Sequence, residues 1–465
     1  MKVLFAAHQF FPDHRAGVEI VTLGLAQALK SRGHEPRVFA AKRSIPGSGI
    51  EPYETQDYEF EGIPVRRVGR PEEGLSRPYE LNFRNPRMAR LAREYARETG
   101  PDIVHAMHLQ GLSASVLPVF EELGVPVVFT AADFWPICPV VDLRRHDGAL
   151  CTGPEVTHCV RCIASRNPDP RAKGAARLPG ALLRAADLAS RTPLRRLSLP
   201  LRQVDAVRER PSYIRENLRS VDRVVAYTDL ARDLLSSNGI GAGKTLVSHY
   251  GIDATGLAGA ARRRRPSPTL RVGFVGTLAP HKGCDILLKA FRMLPPDLDV
   301  TLSVHGDPAP YPSFAATLRE LAGSDARISF RGAFSREDLV RVFSDLDVLV
   351  VPSRWYENAP GVIFEAFAAK APVVVTNLGG MSEFVRPEAN GLLFELENPT
   401  DLSRQLRRLR EEPGLLQKLR AGIVPVKTVS EYASELERLY APLLRNRQPT
   451  QAPDPPDPKH LPKDN

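Results

Sequence analysis

Only five cysteines and two tryptophans occur in 465 residues, and no apolar run approaches the ~20 residues that a bilayer-crossing helix needs. So little cysteine argues against a disulfide-stapled secreted scaffold. Residues 1–7 are apolar, but His8, Asp13, His14 and Arg15 follow too soon for a secretory leader, so this stretch reads as a first buried strand. These shortages predict a cytoplasmic protein. Acidic residues are also short, 54 against 63 Lys and Arg, a formal charge of +9. Residues 163–220 alone hold 13 basic and 5 acidic side chains, a local +8. Such a segment suits an anionic membrane surface as well as nucleic acid. It lacks the interleaved aromatics of a single-strand binder, so no nucleic acid is expected. The expectation is peripheral contact of residues 163–220 with the inner face of a membrane. An apolar stripe (Leu178, Leu182, Leu183, Ala186, Ala189) flanked by Arg177, Arg184 and Arg191 either rests on that surface or packs on its own domain.

With 43% hydrophobic and 25% charged residues the chain is globular, and its length calls for two domains. Strand and helix patterns alternate throughout: strand 2–7, helix 17–30, strand 36–41, an antiparallel excursion over 51–70, helix 87–99, and strands at 102–108, 126–131 and 221–226. Residues 258–268, with four consecutive arginines and two prolines, read as a linker. The pattern then restarts, with strands 270–276, 300–305, 328–330, 348–351 and 373–376. The fold class predicted is α/β: two Rossmann-like doubly wound domains facing a cleft. The expected division is 1–257, with a cysteine-bearing basic insertion at about 138–220, a linker at 258–269, a second domain at 270–429, a closing helix at 430–447 and a disordered Pro-rich tail at 448–465.

The most informative stretch is 352–369, PSRWYENAPGVIFEAFAA, where a loop leaves the apolar strand 348–351 and opens a helix. Ligands bind at such strand ends in open α/β sheets, and helix amino termini favour anions. Glu357 and Glu365 stand here with seven residues between them. Carboxylates accept paired hydroxyl hydrogen bonds, so one can hold a ribose and the other a sugar. Lys282, followed by Gly283 and a helix start, supplies a cation for a diphosphate. Gly17 separates strand from helix, where a backbone can approach a ligand closely. His105 and His108 lie near the end of their strand, as packed histidines or cleft groups.

The 352–369 stretch, with the Gly17-Val18-Glu19 loop, GTLAPHKG at 276–283, Gly379-Gly380 and Asn390-Gly391 in order, resembles the family 4 glycosyltransferases, retaining enzymes of the two-domain GT-B fold. The resemblance implies a nucleotide-sugar donor (UDP- or GDP-sugar) as co-substrate, no cofactor for catalysis, and a glycan, lipid-linked or small acceptor in polysaccharide or glycoconjugate assembly. It makes Glu357, Asp133 and Lys282 the catalytic residues. It assigns the ribose to Glu365, the base to Arg331 with its neighbouring glycine, and the sugar or phosphates to backbone amides around the Asn358-Ala359-Pro360-Gly361 turn. Gly17 and Val18 would close on the phosphates, with Thr277 in the loop before Lys282.

The sequence departs from the family pattern twice. Ala132 stands where the family usually has His before Asp133, and Thr277 where it commonly has Arg. Arg15 or Arg354 is expected to replace the missing guanidinium. The rival readings are a catalytically silent sugar-nucleotide or glycan-binding protein of the same fold and a nucleotide-sugar epimerase. Separately, Cys138, Cys151, Cys159 and Cys162, with His146 and His158 as substitutes, form a candidate structural zinc site, while Cys284 reads as a small core residue.

Overall fold

The computed structural model describes residues 1–71, 79–167, 169–264 and 267–445. The tail expected at 448–465 lies outside these residues, as do the last two positions of the closing helix. Fourteen strands are found among the described residues: β1 (Lys2–Ala7), β2 (Glu35–Ser44), β3 (Thr55–Phe60), β4 (Ile63–Pro71), β5 (Ile103–Ala106), β6 (Val127–Ala131), β7 (Arg223–Ala226), β8 (Thr245–Val247), β9 (Leu270–Val275), β10 (Val300–His305), β11 (Ile328–Gly332), β12 (Val348–Val351), β13 (Val373–Thr376) and β14 (Gly391–Phe394). They form two sheets, ordered β3-β4-β2-β1-β5-β6-β7-β8 and β11-β10-β9-β12-β13-β14. Only the β3–β4 pair is antiparallel, the excursion expected at 51–70. The order reverses direction between β1 and β5 in one sheet and between β9 and β12 in the other. A crevice opens beyond the strand ends at each of these points.

The central strands are continuous valine, leucine and alanine runs because helices cover both faces. Gly17–Ser31 and Pro86–Thr99 flank the first sheet. The second is flanked by Cys284–Arg292 and Pro399–Glu411 on one face and Leu339–Ser344 and Gly361–Ala368 on the other. His105, at the centre of the first sheet, is fully buried between Thr130 (2.6 Å) and Tyr440 (2.5 Å). Burial drives its pKa down to about 3, so it is a neutral core group.

The chain crosses between domains earlier than its composition suggests. The stretch read as a linker contains the helix Leu257–Arg263, which buries Leu257 and Ala260 in the second domain's core. Arg264 then donates to the carbonyls of Phe343 and Ala369. A run of arginines looks like a solvated tether, but here one guanidinium caps two helix ends. The crossing itself lies at Ile252, which bridges in parallel to Thr428 where the chain returns. The returning helix Val429–Arg445 packs Tyr432, Leu436 and Tyr440 against the first sheet and the Gly17–Ser31 helix.

Asn358 clasps the two domains. Its side-chain amide donates to the carbonyls of Ala131 (2.8 Å) and Ala132 (3.1 Å), and its oxygen accepts from Thr228 (3.0 Å). Glu383 adds to this by capping the amides of Asp229 and Leu230. Asn358→Ala strands these buried groups, and it is expected to lower stability by about 2 kcal/mol. Urea unfolding followed by tryptophan fluorescence measures the loss.

Candidate active site at the domain interface

The second sheet presents four loops at its carboxyl edge. The loop after β9 runs from Gly276 through exposed Thr277 to a short turn at Pro280–Lys282 and then Gly283. Gly283 has φ +71°, and a Cβ there would stand 1.9 Å from the Pro352 carbonyl oxygen. Only glycine allows the 282 loop to lie against the 352 loop. That contact brings Lys282 and Glu357 together across 75 residues of sequence, with Nζ 2.7 Å from Oε1. Ser353 donates to the same oxygen at 2.8 Å, and the Trp355 ring lies 5.1 Å from Nζ. Burial alone would raise the Glu357 pKa. The Lys282 charge and hydrogen bonds from Lys282 and Ser353 outweigh it and hold the carboxylate below its ordinary value.

Glu365 is held differently. It lies on the helix Gly361–Ala368, half-buried, with no hydrogen bond or ion pair among the described residues. Desolvation raises its pKa, opposed only in part by Arg336. Phe364, next to it, packs between His249, Tyr250 and Phe384, which fixes the helix at the domain boundary. Tyr250 donates to the Ala359 carbonyl at 2.8 Å. Gly361 opens the helix after Pro360. A Cβ at Gly380 would lie 2.3 Å from the Asn358 carbonyl and 2.4 Å from that of Glu357, so the 379–380 turn backs this loop. Arg331 is exposed at the end of β11, beside Gly332, whose carbonyl accepts from Gly306 at the end of β10.

From the first domain, the loops after β1, β5 and β6 meet. β5 ends at Ala106, so His108 lies beyond the strand in the loop. Its Nδ1 accepts the Gln110 amide, so Nε2 carries the proton that it donates to Asp133 Oδ2 at 2.5 Å. Asp133 also accepts from the Trp135 amide. The His8 ring lies 4.2 Å from that of His108, tilted by 51°, and its Nε2 is 3.4 Å from Glu19, which is fully buried and caps the Ala16 amide. Burial, then the neighbouring charges of His108, Arg70 and His14, keep the His8 pKa well below normal. Gly17 begins the helix, and a Cβ there would meet nothing within 4 Å, so packing alone does not require glycine. Val18 beside it is half-buried. Asn358 joins the two halves, since it holds the 357–361 loop on Ala131 and Ala132, next to Asp133.

Two expectations are corrected. Arg354 does not stand in for an arginine at 277, because its guanidinium is held by Asp285 (2.6 Å twice) and Glu397 (2.9 Å). Arg15 is exposed and has no carboxylate partner among the described residues. Nor do the cysteines form a zinc cage. No group of three His, Cys, Asp or Glu side chains suited to a metal converges among the described residues. Cys159 and Cys162 lie one turn apart in the regular helix Val156–Arg166, not on a tight knuckle, and Cys151 donates to the Gly153 carbonyl. Burial pushes the Cys138 thiol up to about 11 and Cys159 up to about 12. Sequence reading named Glu19 in the Gly17 motif without giving it a role, and missed the His8–His108 contact and the Asn358 clasp. The Glu three residues after a helix start was the one available hint, and Ala16 at the cap position obscured it.

The chain is similar to known proteins in sequence and in fold. Residues 15–255 match the family model described as Glycosyltransferase Family 4, and residues 269–412 match Glycosyl transferases group 1. A D-inositol 3-phosphate glycosyltransferase of Mycobacterium sp. (strain KMS) is 35% identical over 187 residues, 37% of this chain and 41% of the relative. One from Streptomyces bingchenggensis is 33% identical over 222 residues, 44% of this chain and 48% of the relative. The chain thus spans less than half the length of these curated relatives. Among solved structures, sucrose-phosphate synthase from Thermosynechococcus elongatus superposes with a TM-score of 0.65 at 18% identity, over 96% of this chain and 99% of that one. Anabaena HepE in complex with UDP gives 0.60 at 18%, over 95% and 100%. These likenesses establish the GT-B fold.

Proposed function

Because the chain belongs to glycosyltransferase family 4, we propose that it transfers a sugar, with retention of configuration, from a nucleoside diphosphate sugar to a glycan, lipid-linked or small acceptor. The observation that carries this reading is the pairing of Lys282 with Glu357 beside an unpartnered Glu365, all at the strand ends that face the first domain. One Lys282 proton is directed to Glu357, and the other two are available to a diphosphate. Arg15 and the backbone N–H groups of Asn358, Ala359 and Gly361 add to the neutralisation of the leaving group. Glu365 accepts the ribose hydroxyls and Glu357 those of the sugar. Asp133, oriented by His108, accepts a sugar hydroxyl from the opposite wall. Arg331 and Thr277 border the nucleoside. The anomeric carbon–oxygen bond to the diphosphate breaks and the acceptor oxygen bonds to the same face. Its proton passes to the departing phosphate. UDP is the first donor base to test, given the UDP complexes of HepE. The chain works at the cytoplasmic side of a membrane on this reading, in polysaccharide or glycoconjugate assembly.

Thermal-shift and calorimetric titration with UDP, GDP and their sugars test the proposal. Glu365→Gln should lower the affinity for UDP itself by about tenfold, the effect of about one charged hydrogen bond. Loss of turnover with UDP affinity intact would remove Glu365 from the ribose site. A pH series adds an independent sign. The raised Glu365 pKa means that its ionised, ribose-accepting form is lost on acidification with a midpoint above its ordinary 4.5. UDP affinity should therefore fall in that window for the native chain and stay flat there for Glu365→Gln. Stability has the opposite sign: the folded state holds this proton more tightly, so the contribution of Glu365 decreases as pH rises from 4.5 through the raised value.

A further inference from the structure

Of the twelve large hydrophobic side chains exposed among the described residues, six lie between positions 178 and 199: Leu178, Leu182, Leu188, Leu194, Leu197 and Leu199, with Leu197 at 87%. Around them stand Lys173, Arg177, Arg184, Arg196 and Arg202, exposed and without a carboxylate partner among the described residues. The apolar stripe seen in the sequence is therefore split. In the helix Gly180–Ser190, Leu182 and Leu188 are open to solvent, while Leu183 is buried and Ala186 is half-buried. Leu183 and Ala186 form part of the wall of a cavity of about 810 Å³ beneath this surface. Val160, Ile163, Ala172 and Val204 also line it. Arg70 and Gly111 line the same cavity. Gly111 stands three residues after His108 in the loop that follows β5, so the cavity adjoins the first domain's side of the cleft.

We infer that this cavity holds the hydrocarbon chain of a lipid-linked acceptor with a phosphate beside the chain, and that the leucine-rich rim rests in the bilayer from which the acceptor is drawn. A free glycan or inositol phosphate has no chain to fill an apolar cavity of ligand size. A surface combining open leucines with unpaired cations complements an acyl layer topped by anionic headgroups. Arg171, exposed on the lining, is placed for the phosphate. The inference rests on the transferase reading, since it names that enzyme's acceptor class.

The full chain is tested against vesicles of equal parts phosphatidylglycerol and phosphatidylcholine, and against dodecyl phosphate beside inorganic phosphate, with UDP titrated in parallel. The native chain should co-sediment with the vesicles and bind dodecyl phosphate at least about tenfold more tightly than inorganic phosphate. Leu182→Glu/Leu197→Glu should lower vesicle binding about tenfold with melting temperature and UDP affinity unchanged. Ala186→Trp, which fills the cavity, should lower dodecyl phosphate affinity about tenfold and spare UDP. If that variant unfolds, Ala175→Trp on the same wall takes its place. Equal affinity for the two phosphates, or vesicle binding indifferent to the leucines, overturns the inference. So does a change of oligomeric state in the leucine variant without loss of vesicle binding, because the surface then belongs to a second copy. A chain that binds vesicles and dodecyl phosphate but no nucleotide refutes the donor reading and leaves the lipid cavity standing. The converse refutes only the cavity.

Discussion

Lys282→Met is expected to lower the unfolding free energy by about 3 kcal/mol and the affinity for nucleoside diphosphates by about a hundredfold. The two losses have different origins. Glu357 is nearly inaccessible, at 9% side-chain exposure, and its carboxylate is compensated by an ammonium 2.7 Å away. Removing the cation leaves a desolvated charge with Ser353 as its remaining side-chain donor among the described residues. The affinity loss arises because Arg354 cannot take over from Lys282, its guanidinium being held by Asp285 and Glu397. The double variant Lys282→Met/Glu357→Gln separates the terms, since the buried charge is gone. Most of the stability should return, and nucleotide affinity should stay low. Recovery of UDP binding in the double variant would reduce Lys282 to a structural partner. Linkage gives a further check. The depressed Glu357 pKa makes its contribution fully present above 4.5, and acidification through the lower folded value removes it. Acid unfolding of the double variant should lack that component.

Gly283→Ala should cost about 3 kcal/mol and abolish donor binding. The left-handed backbone at φ +71° accounts for about 1 kcal/mol. The larger part comes from overlap with the Pro352 carbonyl, a backbone atom that cannot swing aside as a long side chain can. Relieving it means drawing the 282 loop away from the 352 loop, which pulls Lys282 off Glu357. Differential scanning calorimetry with and without UDP reads both effects. If Gly283→Ala kept native nucleotide affinity, donor binding would not depend on the close contact of the two loops, and the Lys282–Glu357 pair would not be its centre.

Both sheets were legible in the sequence because parallel strands buried on two faces are written as unbroken apolar runs, such as 348–351 and 373–376. The motif glycines and the two glutamates were equally plain. What the sequence concealed follows from how side chains are shared across long separations. The commitment of Arg354 depends on Asp285, 69 residues away. Asn358 looks like one more loop residue until Ala131 and Thr228 arrive from the other domain. His108, placed at a strand end, in fact lies past it and reaches Asp133 beside the unusual Ala132. The arginine-rich stretch before 270 read as tether because its two buried side chains, Leu257 and Ala260, are too few to register as a periodic pattern. The cysteine spacing suggested a knuckle, but the intervening residues are compatible with a helix and made one.

The parallel bridge between Ile252 and Thr428 places both passages of the chain at one spot. Such a joint behaves like the spine of a book. The halves can swing apart about it, but neither can slide or be drawn off axially without tearing covalent backbone at two adjacent points. Displacement then grows with distance from the spine. Parting the halves breaks the hydrogen bonds of Asn358 to Ala131 and Ala132, so the clasp, and not the bridge, registers whether the volume is shut.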